Sequence, residues 1–325
     1  MIGRNEGDRL KLALTAATLH CEHVVYADSA STDASVERAQ RLGVTVLELD
    51  AKIQMTAARG RKAGLERLLE DHPACRYVQF IDGDCILHPA WLNTAYEFLE
   101  DQPRVAAVCG RRYEAYPHAS LYNAVIDNEW STPVGEAYAC GGDSLMRVEA
   151  LRSAGSFRAD LRAGEEPELC ARLRAQSWQI WRIDAQMTEH DADIHRFGQW
   201  WQRAERGGFG YAQVWSATRD LPSRLYGRQI CSALFWVVVV PLATIACASA
   251  ITGWSLLLLP IIYAVQVLRI AVRRNHGANF NYRLKAAVLM MIVKAAEAKG
   301  VFRYFLGTGG EITSYKNLTI GHGKS

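Results

Sequence analysis

The last third of the chain contains two long uncharged runs, and these constrain the fold more than any other feature. Residues 229–250 include no Asp, Glu, Lys or Arg, and residues 253–268 form the second uncharged run. At about 1.5 Å per residue the first run reaches roughly 33 Å as a helix, enough to cross the hydrocarbon core of a bilayer. Only Ile251 and Thr252 join the runs, so they are predicted to form a transmembrane helical hairpin.

Basic residues flank both ends of this hairpin. Those before it are Arg219, Arg224 and Arg228, and those after it are Arg269, Arg273 and Arg274. By the positive-inside rule, both ends and the polar part of the chain are predicted to face the cytoplasm at an inner or plasma membrane. The alternative is a helical hairpin buried in a large soluble core, against which the length and lack of charge argue.

The segment after the hairpin has a different pattern. Residues 285–306 begin with apolar side chains and then carry Lys294, Glu297, Lys299 and Arg303, which is typical of an amphipathic helix at the lipid headgroups. A short third span is the alternative interpretation, and the tail after Gly309 is polar. Residues 273–325 are thus predicted to comprise an amphipathic helix and a polar tail, with membrane lipids as partners.

Charge and cysteine usage exclude several classes of protein. The net charge is +3 without a block of like charge, so no nucleic-acid partner is expected. The eight cysteines are scattered without a C-x-x-C pair, which suggests neither a structural zinc site nor a disulfide framework. Reduced thiols facing a cytosol are the simpler interpretation. Arg4, Glu6 and Asp8 stand where a signal peptide needs apolar residues, so none is expected.

Ahead of the hairpin, short apolar runs alternate with helical patterns. Strands are predicted at 24–27, 44–49, 78–81 and 105–108, and helices at 8–20 and 55–69 with another ending near 42. This alternation is typical of an α/β domain with a doubly wound, mostly parallel sheet. Only Met1, Ile2 and Gly3 precede the first helix, so the strand that should come before it is expected to be truncated or absent.

An acidic turn, Asp82-Gly83-Asp84, follows the strand at 78–81. Glycine lets the backbone turn sharply there, and in an open α/β sheet the carboxyl end of a strand is where ligands bind. Two converging carboxylates favour a hard divalent cation, and such a cation favours a phosphate. Ordinary turn chemistry is the plainer alternative for this tripeptide.

Further polar segments are predicted to lie at the same carboxyl edge of the sheet as the acidic turn. Residues 4–6 and 28–33 lie where they can line a nucleotide-sized crevice, although Ser31, Thr32 and Asp33 equally suit the start of a helix. Gly141 and Gly142 allow the backbone to approach a ligand closely, or form a turn without function.

Later segments add titratable groups. Glu165 and Glu166 precede Pro167 at a predicted helix start, where acidic residues complement the helix dipole and where a carboxylate can also act as a general base. In residues 189–195, His190 or His195 can reach a divalent metal, whereas a solvated loop is the plainer interpretation. Residues 196–203 mix aromatic side chains with arginines, as in an interfacial belt or a phosphate grip.

Taken in order, these motifs resemble family 2 glycosyltransferases of the GT-A fold. The resemblance covers about residues 2–190. It rests on Arg4-Asn5-Glu6, a Val-Val-x-x-Asp-Ser-x-Ser-x-Asp pattern at 24–33, the Asp82-Gly83-Asp84 turn, Gly141-Gly142, and Glu165-Glu166 ahead of a helix. It implies a GT-A nucleotide-sugar-binding catalytic domain over residues 1–190. An interfacial linker would follow over 191–228, and the two transmembrane helices over 229–272.

The resemblance also implies roles for residues of the nucleotide crevice. Asn5, Glu6 and Asp28 match positions that contact the nucleotide, and Ser31 and Asp33 complete that motif. Arg59 matches the arginine of the family's Ala-Arg-Asn-x-x-Gly stretch, with Gly60 in place of the asparagine.

The remaining matches concern the reacting groups. Asp82 and Asp84 match the metal and diphosphate motif, with His190 as a further ligand. Gly142 and Asp143 match the edge that holds the sugar and the acceptor. Glu165 and Glu166 match a Glu-Asp pair whose second residue is the base, so Glu166 is the implied base and Glu165 the reserve.

The implied reaction is inverting, metal-assisted transfer from a nucleotide sugar, with UDP favoured, to a hydroxyl of a lipid-linked or cell-surface glycan. Bound Mg²⁺ or Mn²⁺ would neutralise the leaving diphosphate. The alternatives are a polyprenyl-phosphate glycosyl synthase and an inactive membrane-tethered protein that binds nucleotide sugars. Residues 199–204 depart from the Gln-x-x-Arg-Trp pattern of processive members, so processive polymerisation is not expected.

Overall fold

The structure is a computed structural model that describes residues 1–273 and 279–308. It divides into two compact units. The first comprises Met1–Asp193 with Ala217–Leu225, and the second comprises Ile194–Ser216 with Tyr226–Ser325. Arg274 and the predicted polar tail after Gly309 lie outside the described residues.

The first unit is an α/β domain. Its strands are β1 (Ile2–Gly3), β2 (Val25–Asp28), β3 (Thr45–Glu48), β4 (Tyr77–Phe80), β5 (Cys85–Leu87), β6 (Val105–Glu114), β7 (Gly135–Glu136), β8 (Ser144–Arg147) and β9 (Gln179–His190). Its helices are α1 (Asp8–His20), α2 (Ser35–Arg41), α3 (Ala57–Asp71), α4 (Trp91–Asp101), α5 (Leu121–Trp130), α6 (Val148–Ser153) and α7 (Glu165–Ala175). The predicted alternation of strands and helices is confirmed.

Two sheets carry these strands. The first has the order β1-β2-β3 and is parallel, as predicted for the opening of the chain. The second has the order β4-β8-β6-β9-β5, with β7 beside β9. It is mixed, because β6 and β9 pair in parallel whereas β8 runs antiparallel to both β4 and β6. A parallel bridge between Ile2 and Asp82 links the two sheets at the acidic turn.

The strand before α1 exists but is short. It consists of Ile2 and Gly3, which pair with Ala27 and Asp28 of β2. Beside it an apolar cavity of about 260 Å³ is lined by residues of β2, β4 and α3, among them Val25, Leu65 and Phe80. Most of its lining surface is apolar, and neither Asp82 nor Asp84 lines it, so it does not supply the polar site that the sequence predicts.

The second sheet forms the main hydrophobic core. The first six residues of β6, from Val105 to Gly110, are all buried, as expected for a strand covered on both faces. Trp91 and Leu99 of α4 and Leu169 of α7 are fully buried and belong to the same cluster. This packing fixes the ends of β4, β8 and β9, where the candidate site residues lie.

The second unit is helical. Its helices are α8 (Phe197–Ala217), α9 (Gly227–Leu234), α10 (Val240–Ala250), α11 (Leu258–Arg273) and α12 (Phe280–Phe305). A π-helical turn at Phe235–Val239 joins α9 to α10, and a 3-10 turn at Gly253–Leu257 leads into α11. The predicted linker at 191–228 therefore contains one continuous helix of 21 residues, α8.

In the part of the chain that the structure describes, two helical segments are long and apolar enough to span a membrane, judged by length and composition. They are Gly227–Ala250 and Gly253–Arg273, close to the predicted uncharged runs. Only 22% and 6% of their most apolar windows are buried, unlike the mostly buried core helix of a soluble protein. The alternative of a buried hairpin therefore finds no support in the packing of these segments.

Helix α12 covers the segment predicted as amphipathic, and it packs against α8 rather than standing alone. Glu205 of α8 accepts ion pairs from Lys299 at 2.9 Å and from Arg303 at 2.7 Å. The two backbones touch at two glycines. A Cβ atom at Gly208 would lie 2.0 Å from the carbonyl oxygen of Glu297, and one at Gly300 would lie 2.0 Å from that of Glu205.

We expect Gly208→Ala to lower the free energy of unfolding of the helical unit by about 2 kcal/mol, because the added methyl group forces α8 and α12 apart. Gly207 provides the matched control, since nothing lies within 4 Å of a Cβ atom there. Gly207→Ala should be neutral or stabilising by up to about 1 kcal/mol through helix propensity. Unfolding in detergent, followed by circular dichroism, measures the stability of both variants. An equal change in the free energy of unfolding for the two variants would contradict the close contact of α8 and α12 at Gly208.

Candidate active site

The acidic turn is held against the first strand by a backbone hydrogen bond. The N–H of Gly83 donates to the carbonyl oxygen of Ile2 at 2.7 Å. A Cβ atom at Gly83 would lie 2.9 Å from the same oxygen, so glycine is required for this approach. Asp82 and Asp84 are thereby fixed on either side of the turn, at the carboxyl end of β4.

Two arginines neutralise Asp82, of which Arg61 is buried and Arg112 is half-buried. One carboxylate oxygen accepts from Arg61 Nη2 at 2.6 Å, and the other accepts from Arg112 Nη2 at 3.0 Å. Burial raises the pKa of the Asp82 carboxyl, but the two guanidinium groups lower it by more, so the net shift is downward. Asp82 therefore remains an anion at neutral pH.

Asp143 is fixed in the same cluster. Its Oδ1 accepts from the backbone N–H of Asp82 at 3.1 Å, and its Oδ2 accepts from Thr188 Oγ1 at 2.8 Å and pairs with Arg112 at 2.9 Å. A Cβ atom at Gly142 would lie 2.6 Å from Arg61 Nη2 and 3.1 Å from Asp82 Oδ2. Gly142 thus lets the loop approach these protein side chains closely, whereas Gly141 has a positive φ of 82° and nothing within 4 Å of a Cβ atom. Approach of a ligand to this loop stays a prediction.

Asp84 and His190 form the part of the site most suited to a metal ion. His190 Nε2 lies 3.2 Å from Asp84 Oδ2, and His190 Nδ1 lies 3.9 Å from Glu114 Oε2. Burial lowers the pKa of His190, but the carboxylates of Asp84 and Glu114 together raise it by more, so the net shift is upward. His190 is the last residue of β9 and is buried, so the solvated-loop interpretation is wrong for this residue.

The donor atoms of this pair fit a divalent cation. Ligand atoms of Asp84, Cys85 and His190 lie within 4.8 Å of one another, and all three residues are buried. Carboxylate oxygen suits Mg²⁺ and Mn²⁺, and the imidazole adds a donor that transition metals accept more readily than Mg²⁺ does. Among the described residues His190 Nδ1 has no hydrogen-bond partner, although the ring is buried.

The loop after β2 is ordered by its own side chains. Asp28 is buried and accepts from Tyr26 Oη at 2.8 Å, from Ser31 Oγ at 2.6 Å and from the Ser31 N–H at 2.7 Å. Ser31 Oγ also accepts from the N–H of Asn5 at 2.9 Å, and Asn5 Oδ1 accepts from the N–H of Thr32 at 2.7 Å. The two polar segments at 4–6 and 28–33 are therefore adjacent, as predicted.

Asp33 and Glu6 also have structural partners. Asp33 accepts from the N–H groups of Gly7 at 3.1 Å and Ser35 at 3.0 Å, so it contacts the first residue of α2, although the N-cap residue is Ala34. Glu6 is buried and lies 3.5 Å from Arg9. These contacts hold the two predicted nucleotide-binding segments in place.

Glu165 and Glu166, at the start of α7, have different hydrogen-bond partners. Glu165 accepts a hydrogen bond from Arg61 Nη1, so Arg61 joins it to Asp82. Glu166 Oε1 accepts from the Cys140 N–H at 2.6 Å and from the thiols of Cys140 at 3.1 Å and Cys170 at 2.9 Å. Burial raises the pKa of the Glu166 carboxyl, although these hydrogen bonds lower it.

Arg59 lies outside the cluster. Its Nη1 donates to the carbonyl oxygens of Asp50 and Ile53, both at 2.9 Å, so it holds the loop before α3. The arginine that contacts the acidic turn is Arg61, two residues further along α3. Arg112 on β6 is the second cation that the sequence does not reveal, and it also stacks on Trp130 at 5.2 Å. The one local signal for Arg61 is its place in the same Ala-Arg-x-Arg stretch as Arg59.

Arg61→Met should lower the free energy of unfolding of the first unit by about 3 kcal/mol or more, because it leaves Asp82 and Glu165 without their buried cation. Arg59→Met should cost only about 1 kcal/mol, since it removes hydrogen bonds at an exposed position. Denaturant titration of both variants measures the difference. If the two variants lose similar free energies of unfolding, Arg61 does not stabilise the acidic cluster as we infer.

Comparisons with known proteins show which family and which fold this chain resembles. A model of the family described as "Glycosyl transferase family 2" matches residues 4–153, and a search of curated proteins found no match.

Among solved structures, the chain is similar to a mannosyltransferase from Pyrobaculum calidifontis, solved with GDP-Man and Mn²⁺. The two share 17% identity with a TM-score of 0.62, over 95% of this chain and 86% of the other. The chain is also similar to residues 1–349 of S. aureus TarS, at 13% identity with a TM-score of 0.51, over 94% and 90% of the two chains.

These identities are low, so the structural likeness concerns the fold. The family match covers residues 4–153 of the α/β unit, which include the acidic turn and the two arginines that pair with Asp82. Residues 4–153 thus match glycosyl transferase family 2, and the chain has the GT-A fold.

Proposed function

We propose that this chain is an inverting glycosyltransferase that moves a sugar from a nucleotide sugar to a hydroxyl group of a lipid-linked or cell-surface glycan. The observation that carries the proposal is the pairing of Asp84 with His190 at 3.2 Å, beside Asp82 and Asp143. This arrangement collects ligands for a divalent cation at the carboxyl end of β4, in a unit whose residues 4–153 match the glycosyltransferase family.

Asp84 and His190 would hold Mg²⁺ or Mn²⁺, with Asp82 nearer the ribose. When bound, the cation supplies positive charge that stabilises the leaving nucleoside diphosphate. Arg61 and Arg112 hold Asp82 in place from either side, so the acidic turn keeps its orientation without the cation. The loops at 4–6 and 28–33, with Asn5 and Asp28, form the wall proposed for the base and ribose.

Glu166 is the proposed general base. Burial raises the pKa of its carboxyl, which brings it closer to the value that suits proton abstraction near neutral pH. Glu166 would take the proton of the acceptor hydroxyl while that oxygen attacks the anomeric carbon from the face opposite the leaving group. Glu165 remains the reserve candidate, and its hydrogen bond from Arg61 argues for a positioning role instead.

The donor nucleotide is proposed to be UDP, the commonest nucleotide for this motif pattern, with GDP as the competing choice. The mannosyltransferase with the similar fold was solved with GDP-Man and Mn²⁺, which supports testing GDP beside UDP and Mn²⁺ beside Mg²⁺.

The segments Gly227–Ala250 and Gly253–Arg273 are proposed to anchor the chain in an inner or plasma membrane, with the catalytic unit in the cytoplasm. A membrane anchor favours an acceptor carried on a lipid.

A thermal-shift screen of UDP and GDP, each with and without Mn²⁺, tests the proposal. We expect one nucleotide to stabilise the protein selectively, and only with the metal, since a ligand present at 100 times its dissociation constant contributes about 2.7 kcal/mol. The preferred nucleotide then identifies the class of sugar donor for an assay of metal-dependent transfer. Absence of any metal-dependent nucleotide binding would overturn the proposal.

A further inference from the structure

A second group of metal-ligating side chains lies at the start of α7, and its two thiols have no part in the proposed transfer. Cys140, Glu166 and Cys170 place one ligand atom each within 4.8 Å of one another. All three residues are buried, with exposed fractions of 8%, 5% and 0%. The scattered positions of the cysteines in the sequence conceal this group.

Local structure explains how the three side chains meet. Glu166 and Cys170 are four residues apart on α7, so they lie on the same face of the helix. Cys140 comes from the loop before β8, and its backbone N–H donates to Glu166 Oε1 at 2.6 Å. That hydrogen bond fixes the loop against the helix and brings the Cys140 thiol over the same face.

The spacing of the two sulfur atoms matches a zinc site. With Zn–S bonds of about 2.3 Å, two sulfur ligands of a tetrahedral zinc ion lie roughly 3.8 Å apart. The Sγ atoms of Cys140 and Cys170 are 3.7 Å apart. The sulfur-to-oxygen distances to Glu166 are 3.1 and 2.9 Å, so Oε1 must move outward by about half an ångström to complete the geometry.

We propose that Cys140, Cys170 and Glu166 form a Zn²⁺ site separate from the site at Asp84. Thiolate sulfur selects Zn²⁺ over the Mg²⁺ or Mn²⁺ that carboxylate oxygen favours. On binding, each thiol loses its proton to solvent and becomes a thiolate, and the glutamate binds as carboxylate. Three protein ligands leave the fourth position of the tetrahedron for water.

Occupation of this site has a consequence for catalysis, which rests on the proposed function. Zn²⁺ bound to Glu166 would withdraw the proposed base from the acceptor, so Zn²⁺ is expected to inhibit transfer while Mn²⁺ supports it. The binding of Zn²⁺ itself does not depend on transfer, so it can be measured without donor or acceptor.

Zinc binding to the reduced, metal-free full chain in detergent tests the site. We expect one Zn²⁺ ion per chain to compete effectively with a chromophoric chelator, and we expect Cys140→Ser and Cys170→Ser each to lose that ion. Cys75→Ser is the matched control, because Cys75 is half-buried in the same unit and its thiol donates to the carbonyl oxygen of Tyr77. This control should bind zinc as the parent does.

Two outcomes would overturn the proposal. One is unchanged zinc binding by both serine variants. The other is loss of the ion in His190→Ala but not in Cys140→Ser, which would locate zinc at the Asp84 cluster instead. Should the serine variants fail to fold, Co²⁺ added to the parent protein gives an independent readout, since two thiolate ligands produce a sulfur-to-cobalt charge-transfer absorption and oxygen or nitrogen ligands do not.

Discussion

Glu166→Gln should reduce the rate of sugar transfer by about 10²- to 10⁴-fold, which is the usual contribution of a positioned general base. The amide has nearly the shape of the carboxyl and can still accept the 2.6 Å hydrogen bond from the Cys140 N–H, so the loop should keep its place. Donor affinity should be unchanged, because Glu166 is assigned to the acceptor hydroxyl. Single-turnover transfer and nucleotide titration measure the two quantities separately.

Glu165→Gln is the matched control for this experiment. It keeps the size of the side chain but weakens the charged contact with Arg61, so it should lower stability as well as activity. If Glu165→Gln loses transfer and Glu166→Gln keeps it, the base has been assigned to the wrong glutamate. If both variants transfer at the parent rate, a phosphate acceptor, as in a polyprenyl-phosphate glycosyl synthase, becomes the better proposal, because a phosphate needs no strong base.

Features encoded by neighbouring residues could be predicted from the sequence. The acidic turn follows β4 because a run of apolar residues ends at Asp82-Gly83-Asp84, and Pro167 places the start of α7 within two residues. The uncharged runs likewise predict the segments Gly227–Ala250 and Gly253–Arg273 closely. Each of these predictions depends on a pattern within about 20 residues.

Contacts between distant residues could not be predicted in this way. Arg59 and Arg61 look alike in the sequence, yet two positions on a helix differ by about 200° in direction. Arg61 therefore points into the cluster, whereas Arg59 remains at the exposed loop. Arg112 reaches Asp82 across 30 residues, and Cys140 meets Cys170 across another 30.

The antiparallel placement of β8 likewise depends on contacts between residues that are distant in the sequence. Ser144–Arg147 is short and follows a glycine-rich loop, so its apolar residues do not reveal which strand they join. In the structure it lies between β4 and β6, and this insertion brings Asp143 beside Asp82. The sequence predicts that Gly141 and Gly142 lie near the site. The sheet order explains this position, because β8 follows these glycines and pairs with β4.

Asp84→Asn should lower metal-dependent transfer by at least about 10²-fold, since even outer partners of metal ligands change metal affinity by about 10- to 100-fold. The variant should also lose the Mn²⁺-dependent part of the stabilisation by nucleoside diphosphate. The fold should survive, because the amide keeps the size and shape of the Asp84 side chain, and Arg61 and Arg112 still hold Asp82. Asp71→Asn, at a surface ion pair with Arg67, serves as the control and should behave as the parent.

The same experiment separates the roles of the two aspartates in the turn. Asp82 is already held by Arg61 and Arg112, so a cation there would have to compete with two guanidinium groups. Asp84 faces a histidine, which can give up its proton and bind the cation through nitrogen. Loss of Mn²⁺ dependence in Asp84→Asn, together with its retention in Asp82→Asn, would assign the metal to Asp84. The reverse result would place the metal on Asp82 and leave Asp84 as the partner of His190.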